Sequence, residues 1–263
     1  MTTQTAPAPG SSPIDIRDVD SAIRIVSINR PHRMNALDPP SATLLRDALR
    51  AAHITPGLRV VVITGTHEQF CAGADLRYKK APGEDGVLER LQECHDAIAS
   101  GPLPCIAAIE GSAYGAGLSL ALACDRIVAG DGARLCAPFT GISLVPDVGM
   151  LYSLPRRVGW ARAREWMIEG TVIDTALASR ESLVDEVVAA GGALDSAVKR
   201  ARVWAARAPL ALSALKQLGA DQTLAAHLFA QEREIQARLT ASEDFAEAVS
   251  AFTARRPPKF QGC

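Results

Sequence analysis

The sequence predicts an α/β protein whose C-terminal part is entirely helical. Two short apolar runs point to buried strands, residues 58–64 (LRVVVIT) and 104–109 (PCIAAI), each leading into a loop of small residues. Such β-branched, unpatterned runs suit strands covered on both faces. Helical apolar spacing lies between and around them, and from residue 195 to 253 the chain is Ala-rich with no convincing strand. The expected organisation is a disordered tail over 1–13, an α/β core over 14–194 and a helical region over 195–263.

In chain order, residues 15–18 and 23–28 read as a hairpin of two strands. Ser41 is the expected N-cap of a helix over 42–52, with Leu44, Leu45 and Leu49 on one face. The strand at 58–64 follows, then a polar segment with Pro and Gly over 77–86 that is expected to form a mobile loop. A helix over 87–99, the strand at 104–109, a helix near 116–123 and a strand over 126–129 continue the alternation, which runs to about residue 190. Thr240 and Glu243 have capping-box spacing ahead of a helix over 244–252.

Composition excludes several classes of function. With a net charge of −1, electrostatic capture of nucleic acid or of an anionic membrane is not the expected task. The six cysteines (Cys71, Cys94, Cys105, Cys124, Cys136, Cys263) form no CxxC pair, and several lie in apolar runs. They read as buried thiols in a reducing compartment, without a disulfide framework or zinc site. No apolar run is long enough to span a bilayer, and the N-terminus has no positive n-region. The expected location is cytoplasmic.

The two small-residue loops carry the chemistry. They are residues 70–76 (FCAGADL) and 111–117 (GSAYGAG). Small residues let a ligand approach the main chain, and two converging backbone N–H groups make a hole for a developing oxyanion. The second loop opens the apolar stretch 118–124, and the start of a helix there adds free N–H groups and partial positive charge.

Through these loops and several further motifs, the chain resembles the crotonase (enoyl-CoA hydratase/isomerase) superfamily. The resemblance runs from about residue 15 to 262. It rests on Asn29-Arg30-Pro31 with Arg33-Met34-Asn35-Ala36-Leu37, Phe70 to Leu76, Ala107-Ala108-Ile109-Glu110-Gly111, Gly115-Ala116-Gly117, Cys124-Asp125, Val145-Pro146-Asp147-Val148-Gly149 and Leu154-Pro155-Arg156-Arg157-Val158-Gly159. Together these are specific for the superfamily and much less so for the reaction. The resemblance implies a spiral of ββα units and a C-terminal helical region that packs homotrimers, often paired into hexamers. It implies acyl-CoA thioester substrates, with no metal and no cofactor beyond the coenzyme A that the substrate carries. It puts the oxyanion donors at Ala74 and Ala116, and substrate contacts at Arg33, Ala36, Ala72, Asp75, Leu76, Ser119 and Phe139. Lys259 and Phe260 match a segment that can touch coenzyme A from a neighbouring subunit.

The chain also departs from the family. Hydratases of this family position water with two glutamates. This chain has Ser119 at the first position and Phe139, in Ala137-Pro138-Phe139-Thr140, at the second. A hydroxyl without a partner does not replace a carboxylate as base, so two-carboxylate hydration is not expected. One carboxylate remains, Asp147, at a position where the isomerases of dienoyl-CoA and of ring-epoxidised phenylacetyl-CoA carry an acid, as do some 3-enoyl-CoA isomerases and the chlorobenzoyl-CoA dehalogenases. Dehalogenation also needs aromatic stacking, and only 5% of residues are aromatic. A single carboxylate suits isomerisation, and burial among Leu144, Val145, Val148, Met150 and Leu151 would raise its pKa. The expected function is enoyl-CoA isomerisation with Asp147 as acid/base. A non-catalytic acyl-CoA-binding protein, a weak hydratase and a serine hydrolase using Ser119 are the alternatives.

Several residues also admit plainer roles. Asp147 could cap a helix starting near Val148, Asp75 the turn that follows it, and Asp125 could tie down a turn. Ser119 has no G-x-S-x-G elbow and reads as a small residue lining the pocket. His95 is either structural or an acid/base, whereas His32, His53, His67 and His227 read as ordinary surface residues. Arg33, Arg77, Lys79 and Lys80 either meet coenzyme A phosphates or form a solvated charge run. Gln92, Phe139 and Thr140 are expected to shape the acyl end.

Overall fold

Strands β1 (Ile14–Val19) and β2 (Ile23–Ile28) form the expected antiparallel hairpin in a computed structural model that describes residues 12–78 and 86–263. Most of the expected tail 1–13 and most of the expected loop 77–86, with Lys79 and Lys80, lie outside the described residues. Helix α1 (Pro39–Ile54) begins earlier than the sequence suggested. Its N-cap is Asp38, whose side chain accepts from the Ser41 amide, while the Ser41 hydroxyl accepts from the Asp38 amide. Ser41 is therefore the third helical residue of a capping box and not the cap. Pro39 and Pro40 occupy the first turn, where a missing N–H costs nothing. Leu45 and Leu49 are buried, but Leu44 is largely exposed.

Strand β3 (Val60–Gly65), helix α2 (Val87–Ser100), strands β4 (Cys105–Ile109) and β5 (Ser112–Tyr114), and helix α3 (Ala116–Leu122) follow. Next come strands β6 (Arg126–Gly130) and β7 (Arg134–Cys136) and helices α4 (Met150–Val158) and α5 (Trp160–Glu169). Strand β8 (Ile173–Asp174), helix α6 (Thr175–Arg180) and strand β9 (Glu186–Val188) complete the mixed region. The main sheet has the order β1-β2-β3-β4-β6-β9, parallel except for the first pair, with Val62 between Ile25 and Ile106. Every side chain of β4 is buried, as expected for a strand covered on both faces. A smaller sheet, β5-β7-β8, made of strands too short to stand out in the sequence, lies beside it.

Helices α7 (Ala193–Ala205), α8 (Pro209–Gly219), α9 (Gln222–Thr240) and α10 (Glu243–Ala254) follow in succession. The division after residue 194 passes through the first turn of α7, and that helix belongs to the sheet's own core. Its stripe of Ala193, Ala197 and Ala201 packs on Ile25, Val62, Ile106 and Val128. The opposite sheet face meets α1, α2 and α3 in the larger core. Ser242, not Thr240, caps α10 by accepting from the Phe245 amide, and the Thr240 hydroxyl turns back onto Gln236 O. His53 is half-buried and ties α1 to α2 through Ala97 O at 2.8 Å, so it is more than a surface residue. Cys71, Cys94, Cys105, Cys124 and Cys136 are buried free thiols, while Cys263 is exposed.

Candidate active site

The two small-residue loops are zipped together by main-chain bonds. The Cys71 amide donates to Ser112 O at 2.9 Å and the Tyr114 amide to Cys71 O at 3.0 Å. On its other side the first loop joins the segment after β2: the Leu37 amide donates to Gly73 O and the Asp75 amide to Leu37 O, each at 2.8 Å. This bridge uses the groups flanking Ala74 and leaves the Ala74 N–H facing away from Leu37. Among the described residues no acceptor takes the amide of Ala74 or of Ala116. Ala116 is the first residue of α3, where amides have no intrahelical partner.

Two glycines permit this approach. Gly73 has φ +100°, and a Cβ there would lie 2.8 Å from Tyr114 O and 3.4 Å from the Ala116 nitrogen. A Cβ on Gly117 would sit 2.3 Å from Cys71 O. Only a residue without a side chain lets the loops come this close.

Asp75 is held by two cations. Its Oδ2 lies 3.4 Å from the Arg30 guanidinium and 3.8 Å from that of Arg33, and its Oδ1 accepts from the Arg77 amide at 3.1 Å. The turn-capping role is thus present, alongside an ion pair that sequence reading missed. Arg30 is buried, spans to Asp38 at 2.5 Å and donates to Ala36 O, tying the start of α1 to the first loop. Arg33 keeps 38% of its side chain exposed. Ala36 is buried, Leu76 is half-buried, and the half-buried Ala72 donates its amide to Met34 O at 3.1 Å. The Phe139 ring is buried against the second loop, 3.9 Å from where a Gly115 Cβ would stand. Lys259 and Phe260 lie beyond α10, with the Lys259 amide on Glu247, and among the described residues no hydrogen bond or ion pair links them to the two loops.

Ser119 is fully buried one turn into α3, and its hydroxyl donates to the Asp147 carbonyl at 2.9 Å. It is a structural tie that seats Asp147 beside the first turn of α3, so it does not simply line the pocket. The Asp147 side chain caps no helix, because α4 starts at Met150 with Gly149 as its cap residue. Its Oδ2 accepts from Gln236 Nε2 at 2.8 Å, whereas Oδ1 is out of contact with solvent and has no hydrogen-bond partner. Desolvation pushes its carboxyl up to about 7; the Gln236 bond opposes that rise and the Glu232 charge adds to it. Helix α9 supplies both groups, and neither was identified from sequence. Glu232 accepts from the Gly149 amide at 3.1 Å and from Gln92 Nε2 at 2.9 Å, and burial raises its carboxyl to about 7. The turn it holds is strained, since the β-branched Val148 has φ +54°.

His95 is buried with Nε2 3.2 Å from the Ser153 hydroxyl and its ring edge-on to Phe229, and desolvation lowers it to about 4. It is a neutral packing group. Asp125 accepts the Cys105 amide at 2.7 Å and pairs with Lys216, the structural role expected of it. Among the described residues no group of three or more His, Cys, Asp or Glu side chains is placed to hold a metal ion, and no helix is long and apolar enough to cross a membrane.

This arrangement of a parallel sheet, a small second sheet and two interlocked loops defines a crotonase-fold enzyme. Residues 18–263 match the family model described as enoyl-CoA hydratase/isomerase, and the chain belongs to that family. A probable enoyl-CoA hydratase of Rhodobacter capsulatus is 36% identical, covering 93% of this chain and 96% of its own length. A 1,2-epoxyphenylacetyl-CoA isomerase of Escherichia coli is 30% identical over 93% and 97%. The crystal structure of an enoyl-CoA hydratase from Mycobacterium avium subsp. paratuberculosis superposes with a TM-score of 0.86 at 29% identity, covering 96% of this chain and all of that one. The chain is accordingly an acyl-CoA-processing enzyme of the hydratase/isomerase class.

Proposed function

We propose that the enzyme isomerises the double bond of an enoyl-CoA thioester, with Asp147 carrying the proton and the Ala74 and Ala116 amides holding the thioester oxygen. The Asp147 carboxylate takes a proton from C2 of a 3-enoyl-CoA, and the electron pair passes into a dienolate whose oxygen receives both N–H bonds. The protonated Asp147 then returns the proton at C4, giving the conjugated 2-enoyl-CoA. Nothing is added or lost, so one carboxyl group suffices. Each amide donor is worth roughly 3–4 kcal/mol of transition-state stabilisation.

The observation that carries this reading is the Asp147 carboxyl beside the first turn of α3, with Oδ1 unpartnered, where Ser119 and Phe139 stand at the hydratase positions. Its proton affinity near neutrality lets it both accept and return a proton at pH 7. The E. coli relative named as an isomerase is consistent with it. Mixing the protein with a 3-enoyl-CoA and following the absorbance of the conjugated product tests the assignment. Turnover should fall by about 10²–10⁴ in Asp147→Asn. Hydration of 2-enoyl-CoA with no isomerisation would favour the hydratase alternative, and tight binding of CoA esters without turnover would favour a carrier.

The same reading includes assembly as a homotrimer or a dimer of trimers, supported by exposed Leu210, Leu215 and Leu218 on α8. A cytoplasmic location is supported by the five buried free thiols.

A further inference from the structure

The geometry points to Gln236 and Glu232 of α9 as positioning residues that poise Asp147 for proton transfer, one by hydrogen bonding and the other by charge. The inference rests on the assignment of Asp147 above and adds the device that sets its acidity. The two residues stand four apart on one helix, so they share a face, and that face lies on the segment 145–149.

The Gln236 carboxamide has its orientation fixed independently of Asp147. Its Oε1 accepts from the Val145 amide at 3.3 Å, and its Nε2 donates to Val145 O at 3.1 Å. Only this orientation satisfies both main-chain groups, and it leaves Nε2 as the donor to Asp147 Oδ2. A donor on a carboxylate favours the ionised form. Glu232 acts in the opposite sense. It is anchored by the Gly149 amide and by Gln92, whose own Oε1 is held by Arg233 at 2.5 Å. With Glu232 anchored on the amide two residues after Asp147, its charge disfavours ionisation of the aspartate.

Among the described residues no other charged side chain acts on Asp147 itself. From α2 the facing groups are Gln92 and His95, the latter neutral and turned to Ser153 of α4. From α3 there is only the Ser119 hydroxyl, and from α9, besides the pair itself, Arg233, which favours ionised Glu232. A structural role for α9 would require neither a donor aimed at Asp147 nor an acid beside it. A hydrophobic contact such as that of Phe229 with His95 would hold the helix down as well.

The test is a direct titration of Asp147 by its ¹³C-carboxyl resonance, assigned by its loss in Asp147→Asn. Glu232→Gln keeps the shape and removes the charge, so the midpoint should fall. Gln236→Ala removes the donor, so the midpoint should rise; Gln236→Met serves where the smaller side chain lets the turn collapse. Glu232→Asp, which retains the charge, should restore the midpoint toward that of the parent. The acidic limb of the kcat profile should move in the same directions. A midpoint that stays put in Glu232→Gln and Gln236→Ala, or moves the same way in both, overturns the inference even if melting temperatures drop. If Asp147→Asn retains full turnover while the midpoints move as stated, it is the proton-transfer assignment that fails and the poising that stands.

Discussion

In the proposed mechanism Ala116 acts through its peptide N–H alone, so its side chain is not the thing to change. It occupies the first position of α3, where proline is well tolerated because that N–H has no intrahelical partner, and Gly115 before it accepts the restriction proline imposes. Ala116→Pro should lower kcat by roughly 10²–10³ with little change in melting temperature. An equal fall in both would show a damaged fold instead. At this scale the sequence was legible where the chemistry is main-chain and local. The two small-residue loops could be located after buried strands, and the family resemblance put the proposed donors within them at Ala74 and Ala116. Arg30 could not be assigned its role, because its partners Asp38 and Asp75 lie 8 and 45 residues away and only folding brings them together.

Helix α7 illustrates the element scale. Its Ala193, Ala197 and Ala201 are fully buried against Ile106 and Val62, so the helix rides close to the sheet on methyl groups. Ala197→Leu should destabilise the fold by about 1–3 kcal/mol through overpacking, measurable by urea denaturation. The strands β3 and β4 and the helices α2 and α3 were readable because their apolar runs are continuous or strictly periodic. The starts of α1 and α10 were not, because Asp38 and Ser41, three residues apart, or Thr240 and Ser242, two apart, are all competent caps, and only backbone geometry chooses between them. Helix α9 was hidden more deeply. Its run Gln231-Glu232-Arg233-Glu234 has the composition of a solvated face, yet Glu232 is buried. The available signal was the row Phe229, Glu232 and Gln236, which puts an aromatic ring on the same face as the two polar groups.

At the scale of the whole molecule, the buried acids link folding to pH. Asp147 and Glu232 are raised in the folded chain to about 7 from ordinary values of 3.8 and 4.5. Native chains therefore hold more protons than unfolded ones between those limits. Their contribution to stability is complete below about pH 4 and is lost as pH rises through about 7. His95, lowered to about 4, works the other way: its contribution is present above about pH 6.5 and lost on acidification. Comparing melting curves of the parent and Asp147→Asn cancels the histidine. The difference should shift in favour of the variant as pH rises from about 4 to about 8, and a constant difference would count against a protonated native Asp147. Sedimentation equilibrium should give three or six times the 27.8 kDa chain mass, and Leu215→Glu with Leu218→Glu should shift it toward one chain; a parent that sediments as a single chain contradicts the proposed assembly. The bond from Gln236 to Asp147 also has a consequence in time, because it spans 89 residues and its donor lies on the next-to-last helix. A ribosome makes that donor 89 residues after the aspartate. A nascent chain short of that helix therefore carries the aspartate without the donor and the neighbouring acid that face it in the folded protein.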